Sequence, residues 1–166
     1  MYNRNGMNSN FWAADVATGL ATIRRDGFAP MDADAGGGAL TTRPVTFKGK
    51  YLFVNVDCPK GELKAEVLDA NNNVIEPYTL ANCSPISGDS TLTVLTWKKD
   101  FSALSGQTVR FRFHLTNGSL YAFWVSPVQS GASFGYVGGG GPGYTGTRDT
   151  VGMPPANIKS RYFKKI

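Results

Sequence analysis

The stretch TVRFRFHLTNGSLYAFWVSP, residues 108–127, decides the fold. Two runs of alternating apolar and polar residues flank Asn117-Gly118. Period-two alternation marks a half-buried strand. Asn-Gly is the preferred pair for a two-residue type I′ hairpin turn, because both turn positions need positive φ. The reading is therefore a hairpin in which His114 faces Tyr121, Arg112 faces Phe123 and Phe111 faces Trp124. Directly opposed residues point to the same side. One side then carries Phe111, Phe113, Leu115, Leu120, Ala122 and Trp124 and is the expected core. The other side carries Arg110, Arg112, His114, Tyr121 and Phe123.

The same division extends into YLFVNVDC (51–58) and ELKAEVLD (62–69). Leu52, Val54, Val56, Leu63, Ala65 and Val67 alternate with outward Tyr51, Phe53, Asn55, Asp57, Glu62, Lys64 and Glu66. Strands are expected near 20–25, 39–47, 50–57, 62–68, 91–97, 108–116 and 119–126. They are punctuated by turn residues at 26–27, 36–38, 48–49, 60–61, 71–73 and 87–89. FSALSG (101–106) reads as one short helical turn. Short strands with frequent turns predict an all-β protein, a two-sheet antiparallel β-sandwich of jelly-roll type. The expected organisation is a leader or linker remnant over 1–14, the sandwich over 15–137, and a Gly-rich loop with a basic C-terminal tail over 138–166.

Composition narrows the functional classes. Charged residues are only 17% of the 166 and glycine contributes 20, as suits strands and turns. No apolar run is long enough for a membrane-spanning helix, and no signal peptide is visible. The net charge is +5, but residues 148–166 supply five cations against Asp149, which is +4, leaving +1 for the body. A nucleic-acid binder carries its basic face on the fold itself, so nucleic acid is not an expected partner. Cys58 and Cys83 fit no zinc spacing; a disulfide and two buried thiols both remain open. MDADAGGG (31–38) reads as a turn, with a structural calcium at Asp32 and Asp34 as the alternative; no cofactor is expected. No nucleophile elbow, phosphate loop or zinc-protease motif occurs, so the chain is read as non-catalytic.

The outward mixture of aromatic and planar polar groups suits a sugar. Rings carry the C–H faces of a pyranose, while planar groups bind hydroxyls in pairs. The candidate ligand-binding residues are Arg110, Arg112, His114, Tyr121, Phe123, Tyr51, Asn55 and Asp57, with Phe53 a further platform.

Four segments together resemble one known module: GLATIRRDGFAPMDA (19–33), LTTRPVTFKGKYLFVNVDCPKGELKAEVLD (40–69), VRFRFHLTNGSLYAFWVSP (109–127) and SGASFGYVGGGGPGYTGTRDT (130–150). That module is the C-terminal β-sandwich of bacterial family 32-like glycosidases, where it follows a β-fructosidase-type propeller. The resemblance implies an accessory module, carbohydrate-binding or structural, in an extracellular or periplasmic protein. It implies as partners a glycan or a catalytic glycosidase domain. The basic aromatic end RYFKKI (161–166) departs from that module, and its own residues point to docking on the same chain or on a second copy. In that family GLATxRRDGF marks the passage from propeller to sandwich. No stretch of this sequence resembles the propeller or its catalytic carboxylates, so the expectation is a likeness to the accessory module alone.

Overall fold

The computed structural model describes residues 19–136, 146–150 and 152. The leader 1–14, the glycine loop 138–143 and the tail beyond residue 152 lie outside the described residues. The seven strands are β1 (Met31–Ala33), β2 (Gly38–Thr41), β3 (Val45–Thr46), β4 (Tyr51–Leu68), β5 (Ile86–Leu95), β6 (Thr108–Thr116) and β7 (Gly118–Ser126). Among the described residues there is no α-helix, only 3₁₀ turns at Leu80–Asn82 and Phe101–Leu104. The second is the turn expected from FSALSG. The protein is all-β and every ladder is antiparallel.

The expected hairpin at Asn117-Gly118 does not form. β6 and β7 do not pair with each other; they follow one another along the same edge of β4. Glu62–Leu68 of β4 pairs with Thr116–Arg110, and Tyr51–Asp57 pairs with Ser126–Ser119. Only Asn117 takes positive φ, at 42°, so the two-position requirement of the type I′ turn is not met. Glycine is needed at 118 for a different reason. A Cβ there would stand 2.5 Å from Cys58 Cβ and 2.6 Å from the Asp57 carbonyl. Gly61 meets the same limit from the other side, where a Cβ would lie 1.8 Å from the Thr116 carbonyl. Two bare backbones therefore cross in contact, and the ribbon bends there instead of reversing.

β1, β2 and β3 follow the outer edge of this path. β1 pairs with β7, while β2 and β3 pair with β6. Their own interruption, Asp34 to Gly37, lies beside Asn117, whose N–H donates to the Asp34 carbonyl at 2.9 Å. β5 closes the far side of β4. One continuous antiparallel sheet thus bends over at its middle and nearly closes on itself. Across the bend, Phe123 of β7 packs its ring on Phe111 and Phe113 of β6.

The core fills this fold with Leu52, Val54, Val56, Leu63, Ala65, Val67, Phe111, Phe113, Leu115 and Leu120. Phe47, Trp97, Phe101 and Phe111 extend it as an aromatic run. Trp124, expected in the core, instead points outward. The cause is one extra residue in β7: Asn55 pairs with Ala122 but Val56 pairs with Leu120, so Tyr121 is bulged. A one-residue insertion moves all later side chains to the opposite face. Phe123 therefore enters the core and Trp124 leaves it. Residues 20–25, expected as a strand, form none. The 60–61 and 87–89 signals lie within β4 and β5 rather than between strands.

Candidate functional site

The bend divides the expected ligand face into two separate surfaces. The first is the outward face of β2, β6 and the C-terminal half of β4. Arg110, Arg112 and His114 alternate along β6 as expected and share this face. Their register partners on β4 are Leu68, Glu66 and Lys64. Glu66 is the centre of the group. It is only 8% exposed, and its Oε1 accepts from Arg112 Nη1 at 3.1 Å and faces His114 Nε2 at 3.3 Å. Arg112 Nε also donates to Thr41 Oγ1 at 3.2 Å, and Arg110 Nη1 donates to the Thr42 carbonyl at 3.2 Å. At the bend end of this face an open groove of about 550 Å³ is lined by Glu62, Lys64, His114, Thr116, Leu80 and the Gly36–Gly38 backbone.

The second surface is the outward face of β7 and the N-terminal half of β4, and here the chain covers itself. Residues 24 and 25 staple the 19–31 segment onto it. Arg24 Nε donates to Asn55 Oδ1 at 2.5 Å, Nη1 to Asp89 Oδ1 at 2.5 Å and Nη2 to the Val56 carbonyl at 3.1 Å. Its guanidinium carbon lies 4.8 Å from the Tyr121 ring centroid. Asn55 is fully buried beneath it and returns a hydrogen bond to the Arg25 carbonyl. Arg25 reaches over Trp124 and pairs with buried Asp149 at 2.5 Å. The same Asp149 carboxylate accepts from Ser133 N and Oγ. Trp124 stacks on Phe53 and donates to the Gly131 carbonyl at 2.9 Å. The body of the fold therefore continues past residue 137, since 146–150 returns to it through Asp149 and a bridge from Arg148 to Tyr136.

The expected site residues separate accordingly. Arg110, Arg112 and His114 stay together. Tyr121 is on the other half, beneath Arg24, rather than opposite His114. Phe123 is half-buried and packs against the core, and Asn55 is enclosed. Asp57 is half-buried beside Ser119 and Asp89 in the ladders. Tyr51 borders a recess with Lys50, Trp97 and Lys98. Sequence reasoning missed Glu66 as a shared partner, although its alternation with Ala65 and Val67 already placed it outward. It also missed Arg24 and Arg25, because it reads 20–25 as a strand and not as a segment anchored by its arginine pair.

Cys58 and Cys83 are both free, buried thiols. Burial pushes both above their ordinary pKa values. Asp32 accepts from Ser119 Oγ at 2.6 Å, and Asp34 accepts from Gly36 N at 2.8 Å, as in a side-chain-capped turn. Among the described residues no three His, Cys, Asp or Glu side chains gather as a metal site, and no helix is long and apolar enough to cross a membrane. In comparison with known proteins, the chain matches no family model, no curated protein and no solved structure.

Proposed function

We propose that the chain is a non-catalytic accessory β-sandwich module that packs on a propeller-type glycosidase domain through its 19–31 segment. One observation carries this reading. Leu20, Ile23, Phe28 and Met31 are 93%, 61%, 87% and 57% exposed, although Arg24 and Arg25 between them are anchored in the sheet face. Single exposed apolar residues are ordinary on a surface. Four large ones within one short anchored segment exceed scattered single exposure, and this supports an interaction site there. The partner is chosen by the resemblance, in which this same segment is the passage from propeller to sandwich. Supporting docking over an aromatic sugar platform, Phe123 packs inward and Tyr121 carries Arg24 over its ring.

The test is association of this chain with a separately produced family 32-like propeller domain, followed by analytical ultracentrifugation. A complex is expected with the native chain. Leu20→Asp with Phe28→Asp is expected to weaken it at least about tenfold, or roughly 1.4 kcal/mol. No complex, or one indifferent to both changes, overturns the reading. Self-association of the chain alone through the same residues would identify a second copy as the occupant instead.

A further inference from the structure

We propose that the groove at the bend end of the β4–β6 face is a subsite for an acidic sugar, a uronic acid residue of a polysaccharide. This goes beyond the docking reading and stands on a different surface. Lys64 and His114 are direct register partners, and so are Glu62 and Thr116 two residues along the same ladder. Such partners have Cβ atoms about 5 Å apart, and successive outward pairs lie about 7 Å apart along the strands. Those four side chains frame a patch the size of one pyranose ring.

The polar groups in the patch are unequally used. Glu66 already answers Arg112 and His114. Lys64 and Glu62 share the groove but form no ion pair with each other or with any other described residue. The groove therefore presents a cation at one end and a carboxylate acceptor at the other. A ligand that satisfies both carries a carboxylate at one side and hydroxyl donors at the other. The Thr116 hydroxyl accepts from the Glu62 N–H at 3.2 Å, which leaves its own hydrogen to donate. His114 Nε2 lies against Glu66, which leaves Nδ1 as the ring nitrogen open to a ligand hydroxyl. Leu80 adds an apolar edge for a C–H face. On the opposite wall the backbone of Gly36–Gly38 lines the groove, and the Asp34 carboxylate lies beside it, accepting from Gly36 N at 2.8 Å.

Affinity electrophoresis and calorimetry with oligogalacturonides, set against neutral galactose oligomers of equal length, test the assignment. The acidic oligomers are expected to bind at least about tenfold more tightly, with Lys64→Ala removing most of that difference and Lys64→Glu abolishing retention. Lys98→Ala, on the far recess, is expected to bind as the native chain does. Glu62→Gln, which keeps size and removes the acceptor charge, serves if a Lys64 variant loses its thermal transition; it is expected to weaken binding severalfold. Absence of binding to the acidic oligomers, equal binding of neutral ones, or binding unchanged by Lys64→Ala and Glu62→Gln overturns the proposal.

Discussion

The rings of Phe113 and Phe123 lie 5.0 Å apart between centroids, although ten positions separate the residues along the β6–β7 path. An extended chain would carry those positions about 33 Å apart. The contact measures how far the ribbon has folded on itself at Asn117-Gly118, and it shows which side of β7 is interior. Phe123→Ala is expected to cost about 3 kcal/mol of global stability, in the range of large-to-small core changes. Trp124→Ala is expected to act locally, increasing hydrogen exchange at residues 130–135, whose Gly131 carbonyl it holds. Chemical denaturation and exchange on both variants decide. A larger global loss from Trp124→Ala would invert the assignment.

What could be read from sequence follows from range. Alternation is a local property, so the strand segments and most core residues were legible: Leu52, Val54, Val56, Leu63, Phe111 and Phe113 are all buried. The bend was not. Asn-Gly carries the same residue preference whether it reverses a chain or lets two backbones touch, and only the partner strand separates the cases. Gly61 was the missing half of that signal, because its bare backbone lies against Thr116. The bulge at Tyr121 was hidden for a related reason. A pattern read along one strand cannot reveal an extra residue relative to its neighbour, so every outward assignment beyond residue 121 changed sides. The site residues before the bulge, Arg110, Arg112 and His114, kept their common face.

Both thiols are expected to be nearly inert to Ellman's reagent in the native protein and to react fully in guanidinium. Burial raises both above their ordinary values, so the native protein holds the neutral thiols while the unfolded chain ionises first. The linkage sign follows. This contribution to stability is present below the unfolded thiol pKa and is lost as pH rises through the folded one. The native chain should therefore lose stability more steeply on the alkaline side than Cys58→Ala/Cys83→Ala does. Parallel alkaline urea curves for the two proteins would refute this, as would rapid native labelling.

Asp69 caps the turn between β4 and the following segment. Its carboxylate accepts from Asn73 N at 2.9 Å, Asn71 N at 2.8 Å and Asn73 Nδ2 at 3.1 Å. The hydrogen bonds from Asn73 hold its pKa below the ordinary value. A depressed carboxylate stabilises above its unfolded pKa, and that stability disappears as pH falls through the folded value. Asp69→Ala is thus expected to be less stable than the native chain at neutral pH, with the gap closing in the acid range below about pH 4. Urea midpoints measured from pH 7 to pH 2 give the comparison, and a gap that stays constant would contradict the assignment.

The Arg24–Asn55 pair gives the sharpest test of the staple that orients the apolar segment. Asn55 is fully buried, and its Oδ1 receives Arg24 Nε while its Nδ2 serves the Arg25 carbonyl. Removing the guanidinium leaves a buried acceptor unmatched, at a cost of about 1–3 kcal/mol. Arg24→Lys is expected to fall nearly as far as Arg24→Ala. One ammonium cannot reach Asn55, the Val56 carbonyl and Asp89 with the planar fork those three acceptors meet. A double-mutant cycle with Asn55→Ala should return a coupling of about 1 kcal/mol, since the two side chains are in direct contact. If Arg24→Lys matches the native chain, or the two substitutions add independently, the segment is held by its backbone contacts and the arginine pair does not fix its orientation. If the coupling appears, Leu20, Ile23, Phe28 and Met31 are presented by a segment whose position is set by one buried asparagine.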